Sequence, residues 1–544
     1  MRWYVVGLGC FLMACGRSEQ AIDELQQSGG VFGVPNIDDD DGDGRRDFND
    51  RNVAEENDHS VIDLRGVRDQ MRKNDALELV LTPGRSSALR VWANGEFLLD
   101  EEDASIRFIK DDVPDEIEVE FGGFLSQGTL DVIHLKSFKA DVEGGGVFAR
   151  ATLDLLASPL ILNHHLQPVE SSYVVSGFEN GGDDLYSFDN LSMIDAMDDS
   201  LGMAIAIESV AEYGFDVWVQ DEFETATVTG PGSRIDVVID SIRDRGLDDY
   251  PEEVVAGGRP DTVVRTWGTG ALPTSQDAFG NLEVSPPVTV DGVEYPFGRI
   301  YWGEFRGVGI VDQLADLLED QRIQDPFTLD VSFLAVGHVD EFTTFLPDST
   351  SEKGFRLFVT DTNVGFAFLD ALPASTPIDP RYDTSHGHPT LVDLREDATL
   401  RAINEDYQRD YIDPAIDVMK RELGLTDADI VRVPGIFEET QYGPVAAALI
   451  PGTVNLLLHT QADGRATAFL ADPFMRAEGA PQSEDPLIAE FNELLPAEID
   501  PIWVDNWDVY HVALGEVHCG TNTTRTPTAN WWEDALHLLT DGDL

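Results

Sequence analysis

The chain has 544 residues, too many for one ordinary hydrophobic core, and its 42% hydrophobic content with 28 Phe and 9 Trp suits globular folding in about two to four domains. Its 36 basic against 102 acidic residues give a formal charge of -66, which excludes nucleic acid as a partner, because displacing counterions takes clustered Lys and Arg. The surplus acid fits three readings that do not exclude one another: a solvated acidic surface, carboxylates gathered round hard cations, and a negative field that draws cationic, arginine-rich substrates.

At the start of the chain Arg2 precedes a short apolar run from Trp3 to Met13, and small residues lead to a cysteine, the pattern of an export signal. Beyond it no stretch is apolar and long enough to span a bilayer. Leu12-Met13-Ala14-Cys15 resembles the lipobox of bacterial lipoproteins. That resemblance implies a signal over 1–14, lipid on the Cys15 thiol, membrane attachment through that anchor alone, and, with Gly16 following, an outer-membrane or surface location. An ordinary secretory signal is the alternative. Cys10 would leave with the signal, so Cys519 would be the one free thiol of the mature chain, either inert and buried or reactive.

Residues 15–35, with Ser, Gln, Gly and little periodicity, read as a tether. Asp39, Asp41, Asp43, Asp47 and Asp50 stand at positions 1, 3, 5, 9 and 12 of a loop with Gly44 at the sixth, the spacing of a calcium loop whose alternate oxygens converge on one ion. Asp50 departs from the bidentate Glu usual at the last position. From about 76 to 160 the alternation Leu77, Leu79, Leu81 and Ile117, Val119, Phe121, broken by turn signals, predicts an antiparallel sandwich over 36–165. Residues 166–544 mix helical stripes (Leu314, Leu317, Leu318; Ile416, Met419, Leu423 before Gly424) with strand-like runs such as Arg356–Val359 and Val454–Leu458, an α/β texture.

Three islands carry chemistry. In Trp218-Val219-Gln220-Asp221-Glu222-Phe223-Glu224 the acids would crowd one strand face or a turn, which repulsion opposes unless a cation or cationic substrate fills the space; a solvated strand face is the bland reading. In Gly337-His338-Val339-Asp340-Glu341 a continuing strand would put His338 and Asp340 on one face, and the His can be a proton shuttle, a metal ligand or a satisfied core residue. In Gly515-Glu516-Val517-His518-Cys519-Gly520 the thiol sits in a polar turn, which favours reactivity over burial. A thiol, an imidazole and two carboxylates are the groups needed to attack a guanidinium carbon held in plane by bidentate carboxylates.

These islands resemble the motifs of the protein-arginine deiminases, as do Phe279–Val288, Tyr295–Ile300, Lys353–Leu357, Arg421–Leu425 and Trp531-Trp532, in order over roughly 210–544. The resemblance implies the pseudo-five-fold α/β propeller of guanidine-modifying enzymes, preceded by one immunoglobulin-like sandwich where the animal enzymes carry two, and it leaves the oligomeric state open. It implies calcium-dependent hydrolysis of peptidyl arginine, in proteins or peptides, to citrulline and ammonia. Cys519 would be the nucleophile, His338 the acid/base, and Asp221 and Asp340 the guanidinium holders. Trp218 would pack along the arginine, and Arg243, with Arg245 less securely, would bind substrate backbone carbonyls. Calcium would bind Gln220, Glu224 and Glu283 with the backbone oxygens of Phe279 and Leu282, and a neighbouring ion Glu222, Asp240 and Asp244. The rival readings are a deiminase of free arginine or another small guanidine, and a calcium-binding surface protein without activity. His386-Gly387-His388, despite its metal-like spacing, reads as a loop, and His164-His165 as an interdomain connector.

Overall fold

The computed structural model describes residues 31–38, 46–50, 59–82, 88–100, 104–126, 131–138, 147–176, 190–259, 261–268, 273–527 and 530–539. The expected signal with Cys15, and Asp39, Asp41 and Asp43 of the acidic loop, lie outside the described residues.

Alternating apolar residues bury one face of each early strand, and two such faces close on each other. One sheet has the spatial order Val31–Gly33, Val147–Ala157, Asp131–Phe138, Ala76–Thr82, Ser105–Ile109, and the other Ser60–Asp63, Glu116–Phe121, Leu89–Ala93, Glu96–Leu99. Leu77, Leu79, Leu81, Ile117, Val119 and Phe121 are all buried in one core between them. The sandwich takes in Val31–Gly33, inside the stretch read as a tether, because that strand pairs in parallel with Leu155–Ala157. The following part begins before residue 165, since Ile161–Leu162 pairs with Thr227 and Ala226. At the end of the acidic loop Asp47 and Asp38 are both buried, and the Asp47 N–H donates to the Asp38 carbonyl at 3.0 Å.

The remainder repeats one pattern five times. Each unit has a first strand antiparallel to a second, and a helical crossover that returns a third strand parallel to the second, the usual way to join parallel neighbours. The strand sets are Phe223–Gly230, Ser233–Asp240, Thr262–Thr266; Leu282–Val284, Ile300–Glu304, Phe327–Asp330; Thr343–Pro347, Phe355–Asp361, Ile430–Pro434; and Leu457–Thr460, Ala466–Ala471, Ile499–Val504. The fifth set joins the two ends of this region: Thr521–Arg525 lies antiparallel to Val169–Ser176, which runs parallel to Ile205–Ser209.

The helical stripes face inward: Leu314 and Leu318 on Asp312–Gln321, and Ile416, Met419 and Leu423 on Asp413–Leu423, are buried. Gly424 ends the latter helix at φ +60°, the left-handed conformation that glycine adopts without a Cβ penalty. The run Val454–Leu458 is only partly a strand. Its strand starts at Leu457 and leaves Asn455 in the preceding turn. No helix among the described residues is long and apolar enough to cross a membrane.

Candidate active site

The five units place functional side chains at one equivalent point, the turn leading into each first strand. Cys519, Asp221, Gly280 and Asn455 stand two residues ahead of Thr521, Phe223, Leu282 and Leu457, and Asp340 stands three ahead of Thr343. The turns at Val219–Glu222, Phe279–Asn281 and Val339–Glu341 are single helical turns. The strand expected to continue through His338 and Asp340 therefore stops, and the helical turn, capped by the Glu341 carboxylate accepting from the Gly337 and His338 N–H groups at 2.9 and 2.8 Å, aims both side chains at the same place.

The turns are tied to one another. Asn455 Nδ2 donates to Cys519 Sγ at 3.2 Å and to the Asp340 carbonyl at 3.3 Å, and its Oδ1 accepts from the Cys519 N–H at 3.3 Å. The Gln220 N–H donates to the Cys519 carbonyl at 3.2 Å. Glu516 fixes the thiol's turn from below, accepting from the Gly452 N–H at 2.9 Å and from Asn506 Nδ2 at 2.6 Å. The Cys519 thiol donates to Asp340 Oδ2 at 3.5 Å, and His518 Nδ1 donates to the same oxygen at 2.8 Å.

Gly280 stands where these side chains meet. A Cβ there would lie 2.7 Å from His338 Nδ1, 3.1 Å from Asp340 Oδ2 and 3.4 Å from Asp221 Oδ1. His338 Nε2 donates to the Ser275 carbonyl at 2.8 Å, and its Nδ1 faces Asp221 Oδ1 at 3.7 Å. The other Asp221 oxygen faces the chain's own cations: Arg245 Nη2 donates to Oδ2 at 3.2 Å, and Arg243 Nη1 lies 3.7 Å from it. Arg245 Nε is also 3.1 Å from Asp216. Trp218 stands edge-on to Tyr510 at 5.5 Å, over Gly515, where a Cβ would meet its ring at 2.4 Å.

Cys519 lies in the polar turn, yet it is 4% exposed. Burial, and then the Asp340 and Asp221 charges, push its thiol well above the ordinary value, so the resting group is protonated. The same forces act on the acidic island. Burial first and neighbouring acids second raise Glu222 to about 8 and Asp240 to about 7, and burial raises Glu224 to about 8.

Both Glu222 carboxylate oxygens are buried without a hydrogen-bond partner among the described residues, and oxygens of Glu222, Asp240 and Asp248 lie within 4.8 Å of one another. Such an all-oxygen set fits calcium. Asp248, which sequence reasoning passed over and which is itself exposed, belongs to this group, and Asp244 lies outside it with its charge still acting on Asp240 and Asp248. Around the other expected ion, Gln220 Nε2 donates to the Phe279 carbonyl at 3.4 Å, and Gln220, Glu224 and Glu283 line one cavity.

The raised carboxylates set a sign for pH. Their folded values lie above the unfolded ones, so the folded chain holds extra protons between about pH 4 and about pH 8, and its cation-free stability falls as pH rises through that window. A dication that needs the ionised forms binds more tightly over the same rise. Thermal unfolding in chelator should therefore show Tm falling from about pH 5 to about pH 8, with added calcium raising Tm most at the upper end. A calcium shift independent of pH would contradict this.

Sequence reasoning missed Asn455, Gly280 and Ser275. Asn455 is the one polar residue in Val454–Leu458, an oddity that signals a turn, while Gly280 carries no local mark of its role. Gly280→Ala should lower kcat/KM by about 10- to 100-fold or more, since overpacking a filled site costs about 1–3 kcal/mol. A fold check by thermal unfolding accompanies the kinetics, and unchanged turnover would show that nothing binds against Gly280.

A buried thiol, a buried imidazole and two facing carboxylates, gathered at equivalent turns of a repeated α/β unit, define a site able to form and break a covalent bond to a cationic carbon centre. The protein-arginine deiminase (PAD) family model matches residues 149–533, and the chain belongs to that family. It is 31% identical to the Homo sapiens protein-arginine deiminase type-4 over 433 residues, 76% of this chain and 61% of that protein. With the Mus musculus type-4 enzyme it is 32% identical over 402 residues, 69% of this chain and 55% of that protein. The chain thus spans little more than half the length of these relatives. A C. jejuni agmatine deiminase structure aligns at 12% identity and a TM-score of 0.36, covering 68% of this chain and 98% of that one.

Proposed function

We propose that this protein hydrolyses arginine residues of proteins or peptides to citrulline and ammonia, with Cys519 as nucleophile. The observation that carries the proposal is the convergence of His338 Nδ1, Asp340 Oδ2 and Asp221 Oδ1 on Gly280, with Cys519 Sγ 3.5 Å from the same Asp340 oxygen. The names of its relatives, protein-arginine deiminases, support the same chemistry. In this reading the five units form the closed pseudo-five-fold ring of guanidine-modifying enzymes, and the sandwich before them is immunoglobulin-like.

A guanidinium placed there lies flat against Gly280, its N–H groups donating to Asp340 and to Asp221 Oδ1. Its charge answers the two carboxylates that hold the thiol protonated, so substrate binding itself favours the thiolate. The sulfur attacks the guanidinium carbon to give a tetrahedral adduct. As the sulfur attacks, the thiol proton passes to His338 Nδ1, which then gives it to the departing nitrogen, and ammonia leaves as the C–N bond breaks. The same nitrogen then takes a proton from water, whose oxygen bonds to the carbon. The C–S bond breaks, releasing citrulline and restoring Cys519. Trp218 covers the arginine methylenes. Arg245 and Arg243 brace Asp221 Oδ2, which keeps Oδ1 turned to the substrate. Arg243, part-exposed, is also the group offered to substrate carbonyls.

Calcium is the proposed cofactor, at Glu222, Asp240 and Asp248 and at Gln220, Glu224 and Glu283 with the Phe279 and Leu282 carbonyls. When bound it would neutralise this acidic island and order the turn that carries Asp221. The chain is further proposed to be an exported lipoprotein anchored at Cys15.

Turnover of a blocked arginine peptide compared with free arginine tests the substrate class. Peptide turnover at least tenfold more efficient is expected, because only a peptide offers carbonyls to Arg243 (about 1.4 kcal/mol per tenfold). Preference for free arginine would assign the enzyme to small guanidines.

A further inference from the structure

His165, read from sequence as a connector, lies beside the catalytic turn. Its Nε2 is 3.0 Å from Glu283 Oε2, and His518 Nε2 is 3.6 Å from Glu283 Oε1. One donor atom from each of the three residues falls within 4.8 Å of the others, and together they line a cavity with Gln220 and Glu224. Glu283 is 6% exposed, and its Oε1 has no hydrogen-bond partner among the described residues.

We propose that His165, His518 and Glu283 form a binding site for a transition-metal dication of the zinc type, distinct in chemistry from an all-oxygen calcium site. Three observations carry this. The donor set is two imidazole nitrogens and a carboxylate, which suits zinc, cobalt or nickel far better than calcium. The spacing fits: ligands at zinc bond lengths stand about 3.3 Å apart in a tetrahedron, and each ring nitrogen lies near that distance from one Glu283 oxygen, His165 Nε2 3.0 Å from Oε2 and His518 Nε2 3.6 Å from Oε1.

The third observation is that both rings are oriented from behind. His518 Nδ1 donates to Asp340 Oδ2 at 2.8 Å, and His165 Nδ1 lies 3.5 Å from the Thr344 hydroxyl, so each ring presents Nε2 to Glu283. A carboxylate behind a ligating histidine is the arrangement that fixes ring orientation and strengthens metal binding. The His165 backbone is held as well, its carbonyl accepting from Arg525 Nη1 at 2.7 Å and from Thr460 Oγ1 at 2.9 Å. Water or Glu224 can complete the coordination.

Two consequences follow from position. Glu283 also belongs to the proposed calcium set, so the two classes of cation compete for it. His518 shares Asp340 Oδ2 with the Cys519 thiol, so a metal on His518 holds Asp340 against movement. The site therefore opposes calcium-supported activity.

The test is titration of the chelator-treated full-length protein with Co2+, whose visible absorption is intense in four- or five-coordinate sites and weak in six-coordinate oxygen sites. One equivalent should give the intense bands, calcium should bleach them, and His165→Gln should lower Co2+ affinity by about 100-fold or more. The readout does not require turnover, so it stands apart from the proposed deimination. Only weak six-coordinate absorption, or equal affinity in His165→Gln, would overturn the proposal. Should His165→Gln fail to fold, imidazole 15N resonances of the unaltered protein decide: Zn2+ must shift two Nε2 signals, and no shift refutes the site.

Discussion

Cys519→Ser is expected to abolish turnover, by roughly 10^4-fold or more, while calcium binding and the thermal transition stay as they are. The serine fits the same space and can keep the hydrogen bonds to Asn455 and Asp340, so the fold is not at issue. What is lost is an atom that ionises when a cation arrives. Beside two carboxylates a hydroxyl stays protonated even with the guanidinium in place. Residual activity within tenfold of the unaltered protein would mean that the thiol is not the nucleophile.

Asp340→Asn is expected to act in two opposite directions at once. Losing one of two carboxylates facing a buried guanidinium costs about 3–5 kcal/mol, so kcat/KM for an arginine peptide should fall by about 150- to 5,000-fold. In the free protein, however, Asp340 is the foremost charge holding the thiol up. Its removal should lower the Cys519 pKa, and the thiol should alkylate faster with neutral iodoacetamide near neutral pH. Because loosening the fold would also expose the buried thiol, the thermal transition is measured alongside, and faster alkylation at an unchanged Tm marks the electrostatic effect. Slower alkylation in Asp340→Asn would contradict the electrostatic account of this site.

Much of this was legible in the chain, and the reasons differ by element. The sandwich strands announced themselves because a half-buried sheet enforces a period of two, as at Leu77, Leu79 and Leu81. Helices such as Asp413–Leu423 did so through a stripe ending at Gly424. The equivalence of five units was legible only through the family resemblance and not in local pattern, because each unit is a few short strands whose pairing is set by contacts distant in sequence. Thr521–Arg525, for instance, lies antiparallel to Val169–Ser176. The islands at 218–224, 337–341 and 515–520 stood out through unusual local chemistry. Gly280 and Asn455 did not, since their roles exist only once five turns meet. The surroundings of His165 were hidden for the same reason: nothing in His164-His165, read as a connector, shows that Glu283 and His518 will face it. Asp248 likewise joins Glu222 and Asp240 only through folding.

The measurement that tests the central claim most directly is release of ammonia and citrulline from a blocked arginine peptide, with calcium and with chelator, by the unaltered protein and by Cys519→Ser. Equal amounts of the two products, formed only when both calcium and Cys519 are present, are the predicted result. Equal rates in calcium and chelator would remove calcium from the account, and no product under any of the four conditions would contradict the assignment of deimination to this site.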